Sequence, residues 1–222
     1  MTSFIHKLDN TLYKPEALAP EIHKICADAM QHKMAAVCVA PVWVPQVSKM
    51  LRNSGVRTCS AVGFPHGTNK STIKAIEATS TIKDGAEEIE VVAFLPHILS
   101  FDVDASRAEL MEIVRAARST RRDVFIKVIV EMGLFLDLDD ERAERGAITA
   151  CRAVRESGCD AIVSSWRPTP LRAIELLKKH GDALQIKATV DNAQHTDIPI
   201  FAELVDRIGI ENAGAIFDRA AT

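Results

Sequence analysis

Residues 181–190 read Gly181-Asp182-Ala183-Leu184-Gln185-Ile186-Lys187-Ala188-Thr189-Val190: a glycine, then a short run of strand character with one lysine set among apolar neighbours. The same unit recurs along the chain. An amphipathic helical pattern ends in a glycine, and a β-rich run follows it. Gly55 precedes RTCSAVGF, Gly85 precedes EEIEVVAF, Gly158 precedes CDAIVSSW, and Gly209 stands a few residues before AGAIFD. Glycine tolerates the left-handed conformation that ends helices, so each is read as a helix stop. Completing the pattern predicts strands near 4–9, 35–40, 57–63, 88–94, 123–131, 160–165, 184–189 and 213–217. These runs are apolar on both faces and rich in Val and Ile, as parallel strands covered on both sides are. Between them, helical stripes recur at i, i+3, i+4 and i+7. Examples are Ile22, Ile25, Cys26 and Ala29; Leu110, Ile113, Val114 and Ala117; Ala147, Ala150, Cys151 and Val154; and Phe201, Leu204, Val205 and Ile208. All are read as core packing.

Alternating strands and helices of this number predict a (β/α)8 TIM barrel in one domain over residues 1–222. A doubly wound sheet is the competitor, and the lack of G-x-G-x-x-G after the first strand counts against it. After the strand expected at 213–217 only Arg219 to Thr222 lie outside the barrel pattern, so the eighth helix is expected to be missing or vestigial. The outer faces of strands 8 and 1 would then need cover from a partner subunit or from the N-terminal segment, and a homo-oligomer is expected.

The bulk numbers narrow the class. The chain has 222 residues, 47% of them hydrophobic, enough for one well-buried domain. Net charge is −3 with interspersed signs, so neither nucleic acid nor an acidic membrane is an implied partner. The basic run RAARSTRR at 115–122 reads as a solvated helix end. Five cysteines without a C-x-x-C pair read as reduced core residues of a cytoplasmic protein. The start MTSFIHKLDN lacks the pattern of a signal peptide, and no run approaches the roughly 20 apolar residues that span a bilayer.

In a barrel of this kind the chemistry sits at the carboxyl ends of the strands. That rule selects Asp9, Cys38, Glu90, Lys127, Glu131, Ser164, Ser165, Trp166, Lys187 and Asp191, together with the GFPHG turn at 63–67. Lysines inside apolar strands are the sharpest signal, because a buried ammonium must pair or lose its proton. For Lys127 and Lys187 the alternatives are a structural ion pair inside the barrel and a functional amine, with Asp9 and Glu90 as carboxylate partners.

In order and spacing, LDNTLYKP at 8–15, MAAVCVAP at 34–41, AVGFPHG at 61–67, DGAEEIEVV at 84–92, FIKVIVEMG at 125–133, CDAIVSS at 159–165 and IKA at 186–188 form a signature. Through most of its length the chain resembles the deoxyribose-phosphate aldolase family. The resemblance implies a barrel and a class I aldol reaction: a strand-6 lysine forms a Schiff base, a strand-7 lysine stays charged and lowers its pKa, and a strand-4 aspartate assists proton transfer. Carried across, the strand-7 lysine is Lys187, the early aspartate is Asp9, the strand-2 cysteine is Cys38, and the strand-4 acid is Glu90. The Schiff-base position holds Val163, which forms no imine. The phosphate-binding turns depart too. They read Thr189-Val190-Asp191-Asn192 after strand 7, Ile216-Phe217-Asp218 after strand 8, and Trp166-Arg167-Pro168-Thr169-Pro170 after strand 6. Phosphate cradles use close backbone N–H approach that glycine allows and an aspartate opposes, leaving Arg167 as the group to meet an anion.

Two functional readings follow. In one, the chain is a divergent lyase acting on a small carbonyl compound other than the usual phosphorylated sugar. Lys187 is then the amine or the electrostatic stabiliser, Glu90 and Asp9 are acid/base groups, and Trp166 and Phe217 line the pocket. In the other it is an inactive homologue kept for binding or assembly. No cofactor is expected. Nor is a metal, since His66, His97 and His195 fall in loops at one end of the barrel without tight ligand spacing.

Overall fold

The computed structural model describes residues 4–165, 167–190, 198–214 and 217. Eight strands close into a barrel: β1 (Leu8–Leu12), β2 (Ala36–Val39), β3 (Arg57–Val62), β4 (Glu88–Val92), β5 (Phe125–Ile129), β6 (Ala161–Val163), β7 (Gln185–Val190) and β8 (Arg207–Glu211). Each pairs in parallel with the next, and β8 returns to β1 through Leu8↔Ile208 and Asp9↔Gly209. Around them run α1 (Ala19–His32), α2 (Val44–Leu51), α3 (Ser71–Lys83), α4 (Leu95–Leu99), α5 (Val103–Thr120), α6 (Gly133–Leu136), α7 (Asp140–Glu156), α8 (Leu171–His180) and α9 (Ile198–Leu204). The predicted TIM barrel is the observed fold.

The main apolar core lies between sheet and helices, not on the barrel axis. Outward residues such as Val37, Ile89, Val91, Ile126, Val128, Ile162 and Ile208 pack on the buried stripes of the helices, including Ile22, Ile113, Val154 and Ile174. Asp102 and Asp139 start the two longest helices in the usual way: each side chain accepts a backbone N–H of the first turn, from Ala105 and Arg142 at 2.9 Å. The five cysteines are all buried and free, and no helix among the described residues is long and apolar enough to cross a membrane.

Both ends of the chain differ from expectation. Residues Ile5–Lys7 form a 3₁₀ turn, so β1 begins at Leu8 and not near residue 4. The eighth strand is Arg207–Glu211, not 213–217. Gly209, read as a helix stop, lies inside that strand. Gly181 has φ −87, and the left-handed residue of its turn is Ala183 at φ 63. The outer faces of strands 8 and 1 are covered within the chain: Leu8, Asn10, Ile208 and Ile210 are each 0% exposed. Asn10 holds this seam, donating to the Ile25 carbonyl at 3.0 Å and accepting from the Ala213 N–H at 2.8 Å. Phe217, expected to line the pocket, instead stacks on His32 of α1 at 4.2 Å.

One buried ion pair lies outside the barrel. Lys74 of α3 donates to the Val92 carbonyl at 2.7 Å and to Glu109 of α5 at 2.6 Å. Glu109 also accepts the Phe94 N–H at 3.1 Å, so α3, α5 and the end of β4 share one polar tie. Removing one partner of a buried pair strands the other charge. Lys74→Met is therefore expected to lower unfolding stability by about 3–5 kcal/mol, read as a drop in the urea midpoint with the far-UV dichroism of the folded state unchanged. An unaltered midpoint would show that Glu109 does not need this cation.

Candidate active site

Alternation along parallel strands sends every second side chain to the barrel axis. Here those side chains are charged. Lys127 of β5 places its Nζ 3.1 Å from Asp9, 2.8 Å from Glu88 and 2.9 Å from Glu90. Lys187 of β7 places its Nζ 2.8 Å from the same Asp9 oxygen and hydrogen-bonds Glu90 Oε1. Arg207 of β8 closes the set below, donating through Nε to Asp9 at 2.9 Å and through both terminal nitrogens to Glu88 at 3.1 Å. Arg57 adds a further bond to Glu88 from the amino-end rim at 3.0 Å. Asp9, Glu88, Glu90, Lys127 and Lys187 are all buried. Gly209 leaves the space Lys187 fills: a Cβ there would stand 2.8 Å from its Cε.

Toward the carboxyl end this charged layer is roofed by apolar and aromatic groups. Val92, Ile129 and Val163 cluster under Phe64. Val163, which the resemblance places at the Schiff-base position, is the direct β6 partner of Lys187 in the ladder. Tyr13, just past β1, donates its phenol to Glu90 Oε2 at 3.1 Å and lays its ring 4.8 Å from that of Phe64. It rests on Ala36, Cys38 and Cys59. Phe64 is carried by the turn Gly63–Gly67. Gly67 (φ 65) brings the chain against the ends of β4, where a Cβ would meet the Val92 carbonyl oxygen at 2.8 Å.

The charges decide the protonation states. Burial opposes every charge here, yet the opposite partners outweigh it. Against burial, Lys127 and Lys187 hold the Glu90 carboxyl down at about 2. Arg207, Lys127 and Lys187 hold Asp9 well below the usual carboxylate range, and Lys127 and Arg207 lower Glu88. Burial works to strip the Lys187 proton, but Asp9, Cys38 and Glu90 raise its pKa above the ordinary lysine value. Asp9, Cys59, Glu88 and Glu90 do the same for Lys127. Burial, helped by Cys38 and Glu90, pushes the Tyr13 phenol well above 10. The resting site is thus two ammonium groups, one guanidinium and three carboxylates.

Of the residues selected from sequence, Asp9, Cys38, Glu90, Lys127 and Lys187 meet in one cluster, with Cys38 Sγ 3.8 Å from Glu90 and 4.0 Å from Lys187. Asp9 does not end strand 1; it is its second residue and sits deep on the axis. Ser164 and Ser165 brace the rim instead of touching the cluster. The Ser164 hydroxyl bonds that of Thr169, while Ser165 donates to Glu131 at 3.0 Å and accepts the Arg167 N–H at 2.9 Å. The Arg167 guanidinium is exposed at that rim, 4.0 Å from Glu131. Trp166, Asp191, His195, Ile216 and Asp218 lie outside the described residues. Phe64 came in with the selected GFPHG turn, whereas Glu88, Arg207 and Tyr13 were not selected from sequence. Glu88 was legible as the residue two before Glu90 on the same strand face, whereas Arg207 was hidden by the misplaced eighth strand.

The metal-ligand atoms of Cys38, Cys59 and Glu90 lie within 4.8 Å of one another. Lys127 and Lys187 already contact that carboxylate, so a dication would face two ammonium groups at close range. His66 is exposed, and His97 packs edge-on against Phe94 at 4.8 Å, away from the cluster.

These shifts fix how stability depends on pH. Glu90 goes from an ordinary 4.5 when unfolded to about 2 when folded, so its contribution is complete above 4.5 and is lost as pH falls toward 2. Asp9 and Glu88 act in the same direction. Lys127 and Lys187 are raised, so theirs is complete below the ordinary 10.5 and is lost as pH climbs from there through the folded values. Thermal melting across pH is expected to show a plateau between these limits and a steep acid arm below about pH 4.5. A melting temperature that rises on acidification from pH 5 to 3 would contradict the assignment.

The chain matches the DeoC/LacD family aldolase model over residues 5–220. A deoxyribose-phosphate aldolase from Caldanaerobacter subterraneus subsp. tengcongensis is 33% identical over 208 residues, covering 91% of this chain and 87% of the relative. The solved structure "QR15, an Aldolase" superposes with a TM-score of 0.82 at 28% identity, covering 100% of this chain and 97% of that one. A tetrameric deoxyribose phosphate aldolase from Aeropyrum pernix shares the fold at a TM-score of 0.84 and 22% identity, covering 99% and 91% of the two chains. With the barrel closed in the same order and a family match running almost end to end, this chain belongs to the DeoC/LacD aldolase family.

Proposed function

We propose that the chain is an aldolase-type carbon–carbon lyase for a small carbonyl compound, in which Lys187 acts as a buried cation and not as an imine-forming amine. The observation that carries this is the pairing of Lys187 with Asp9 and Glu90 beside Val163. An amine must be neutral to attack a carbonyl. Here two carboxylates keep it protonated, and no second lysine stands at the β6 position to take the proton-free role. An ammonium suits the other task, stabilising the oxyanion or enolate that develops when an aldol bond breaks or forms. As it turns toward that charge it releases Glu90, whose basicity then rises, and Glu90 takes up the proton. Asp9 and Lys127 position this pair from below.

The substrate lies in the mouth above Val163, Phe64 and Tyr13. The loss of the glycine turns favours a smaller or less charged compound than a sugar phosphate, with Arg167 as the group left to meet an anion. The relatives are deoxyribose-phosphate aldolases, so 2-deoxyribose 5-phosphate is the reference to assay beside unphosphorylated aldehydes and ketones. The same proposal includes a cytoplasmic homo-oligomer, and sedimentation velocity showing only a monomer would remove that part.

Borohydride trapping during turnover, followed by peptide mass mapping, tests the mechanism. The expected outcome is turnover without an adduct on Lys187 or Lys127, and a loss of about 10²–10³-fold in kcat/KM for Lys187→Met. A reduced adduct on Lys187 would establish imine chemistry instead. Absence of turnover with every carbonyl tried, combined with ligand-dependent thermal stabilisation, would favour the binding-protein reading.

A further inference from the structure

Glu90 is buried, and its two oxygens face different ways. Oε1 takes Lys187, Lys127 at 2.9 Å and Cys38 at 3.8 Å. Oε2 takes the phenol of Tyr13 at 3.1 Å. Of these four partners among the described residues, three are fully buried, and only Tyr13, at the carboxyl end, is a residue that is half-buried. A carboxylate walled in by cations and thiols exchanges protons with the mouth only through a group that reaches both. We propose that Tyr13 is the proton relay of this site, passing a proton between Glu90 and the substrate or water above it.

The inference rests on the aldol reading above and adds a residue to it. The step balances without a charged phenol. The substrate hydroxyl gives its proton to Tyr13 Oη as the phenolic proton moves to Glu90 Oε2. One substrate O–H bond and one phenol O–H bond break, while a new phenol O–H and a carboxyl O–H form. The electron pair left on the substrate oxygen becomes the carbonyl as the carbon–carbon bond opens, and the resulting enolate faces Lys187. Protonation of the enolate carbon runs the same relay backward. Burial beside Glu90 keeps the phenol from ionising on its own, which suits a group that must return with its proton each turn. The ring is held for the task by Phe64 on one side and by Cys38 and Cys59 beneath.

A merely structural tie would leave the same hydrogen bond in place, so the experiment must separate the two. Tyr13 is the single tyrosine of the chain, so phenolate absorbance near 295 nm, on the order of the usual tyrosinate band, titrates this hydroxyl alone. In the wild-type protein it is expected to ionise well above 10, and in Glu90→Gln to ionise at lower pH. Tyr13→Phe keeps the ring and its stack. It is expected to melt close to wild type, to lose about 10²–10⁴-fold in kcat with KM little changed, and to slow exchange of acetaldehyde methyl hydrogens in D2O by a similar factor. Wild-type rates in Tyr13→Phe, with the wild type active, would overturn the relay and leave the aldol reading standing. A wild-type protein inert in both exchange and aldol assays would overturn both together. A phenol titrating at its ordinary value in wild type and Glu90→Gln alike would remove the contact itself.

Discussion

The structure depends on a charge balance inside the barrel. Three carboxylates and three cations from β1, β4, β5, β7 and β8 meet on the axis, where a TIM barrel more often packs branched apolar side chains. Each ion loses several kcal/mol of hydration there, and only near-complete pairing offsets it. The register supplies that pairing. Glu90 lies directly opposite Lys127 in the β4–β5 ladder, and Asp9 lies opposite Gly209, whose missing side chain leaves room for Lys187. A slip of one residue in either ladder would turn the charges outward into the helix layer, where the apolar core is. Barrel closure and site assembly are therefore one constraint.

That balance also explains what Val163 does to the chemistry. A lysine at 163 would add a positive charge to a set that is already neutral, and such a charge has its pKa depressed by its neighbours. This is the condition an imine-forming amine needs. With valine there, no excess positive charge presses on Lys187, and two carboxylates hold its proton. Val163 also completes the apolar roof with Val92, Ile129 and Phe64. Lysine ammonium and apolar roof thus sit in adjacent layers, so on the proposed reading a carbonyl compound entering the mouth meets low-polarity walls before it meets the ammonium. Electrostatic stabilisation is strongest in such surroundings.

The barrel and most of its strands were legible because the relevant signals are local. Gly55, Gly85 and Gly158 do adopt left-handed φ values at the ends of helices, and the runs after them are the strands. The lysines were legible because an ammonium in an apolar strand has few explanations. What failed was non-local. Arg207-Ile208-Gly209-Ile210 carries a charge and a glycine, so it reads as a helix end. It is a strand because β7 and β1 supply both ladders and because Asp9 and Glu88 await the guanidinium. Lys74 was equally invisible, since helix periodicity does not reveal that Glu109 lies opposite it on α5. Tyr13 stood within a recognised motif, but its hydrogen bond to a residue 77 positions away is a product of closure.

The length of the acid at position 90 draws these threads together. The resemblance implied an aspartate there, and this chain has a glutamate. On the axis, Glu90 must reach Lys187 across the barrel, Lys127 on the neighbouring strand, and the Tyr13 phenol above, using two oxygens. The extra methylene lets one carboxylate span the ion layer and the roof. A shorter acid held by the two lysines would sit lower, farther from the phenol. In the proposed relay, Glu90 and Tyr13 form one unit that links the buried charge cluster to a half-buried residue at the mouth. If the amine stays an ammonium, as proposed, proton transfer must come from elsewhere, and the proposed relay assigns it to this hydrogen-bonded pair.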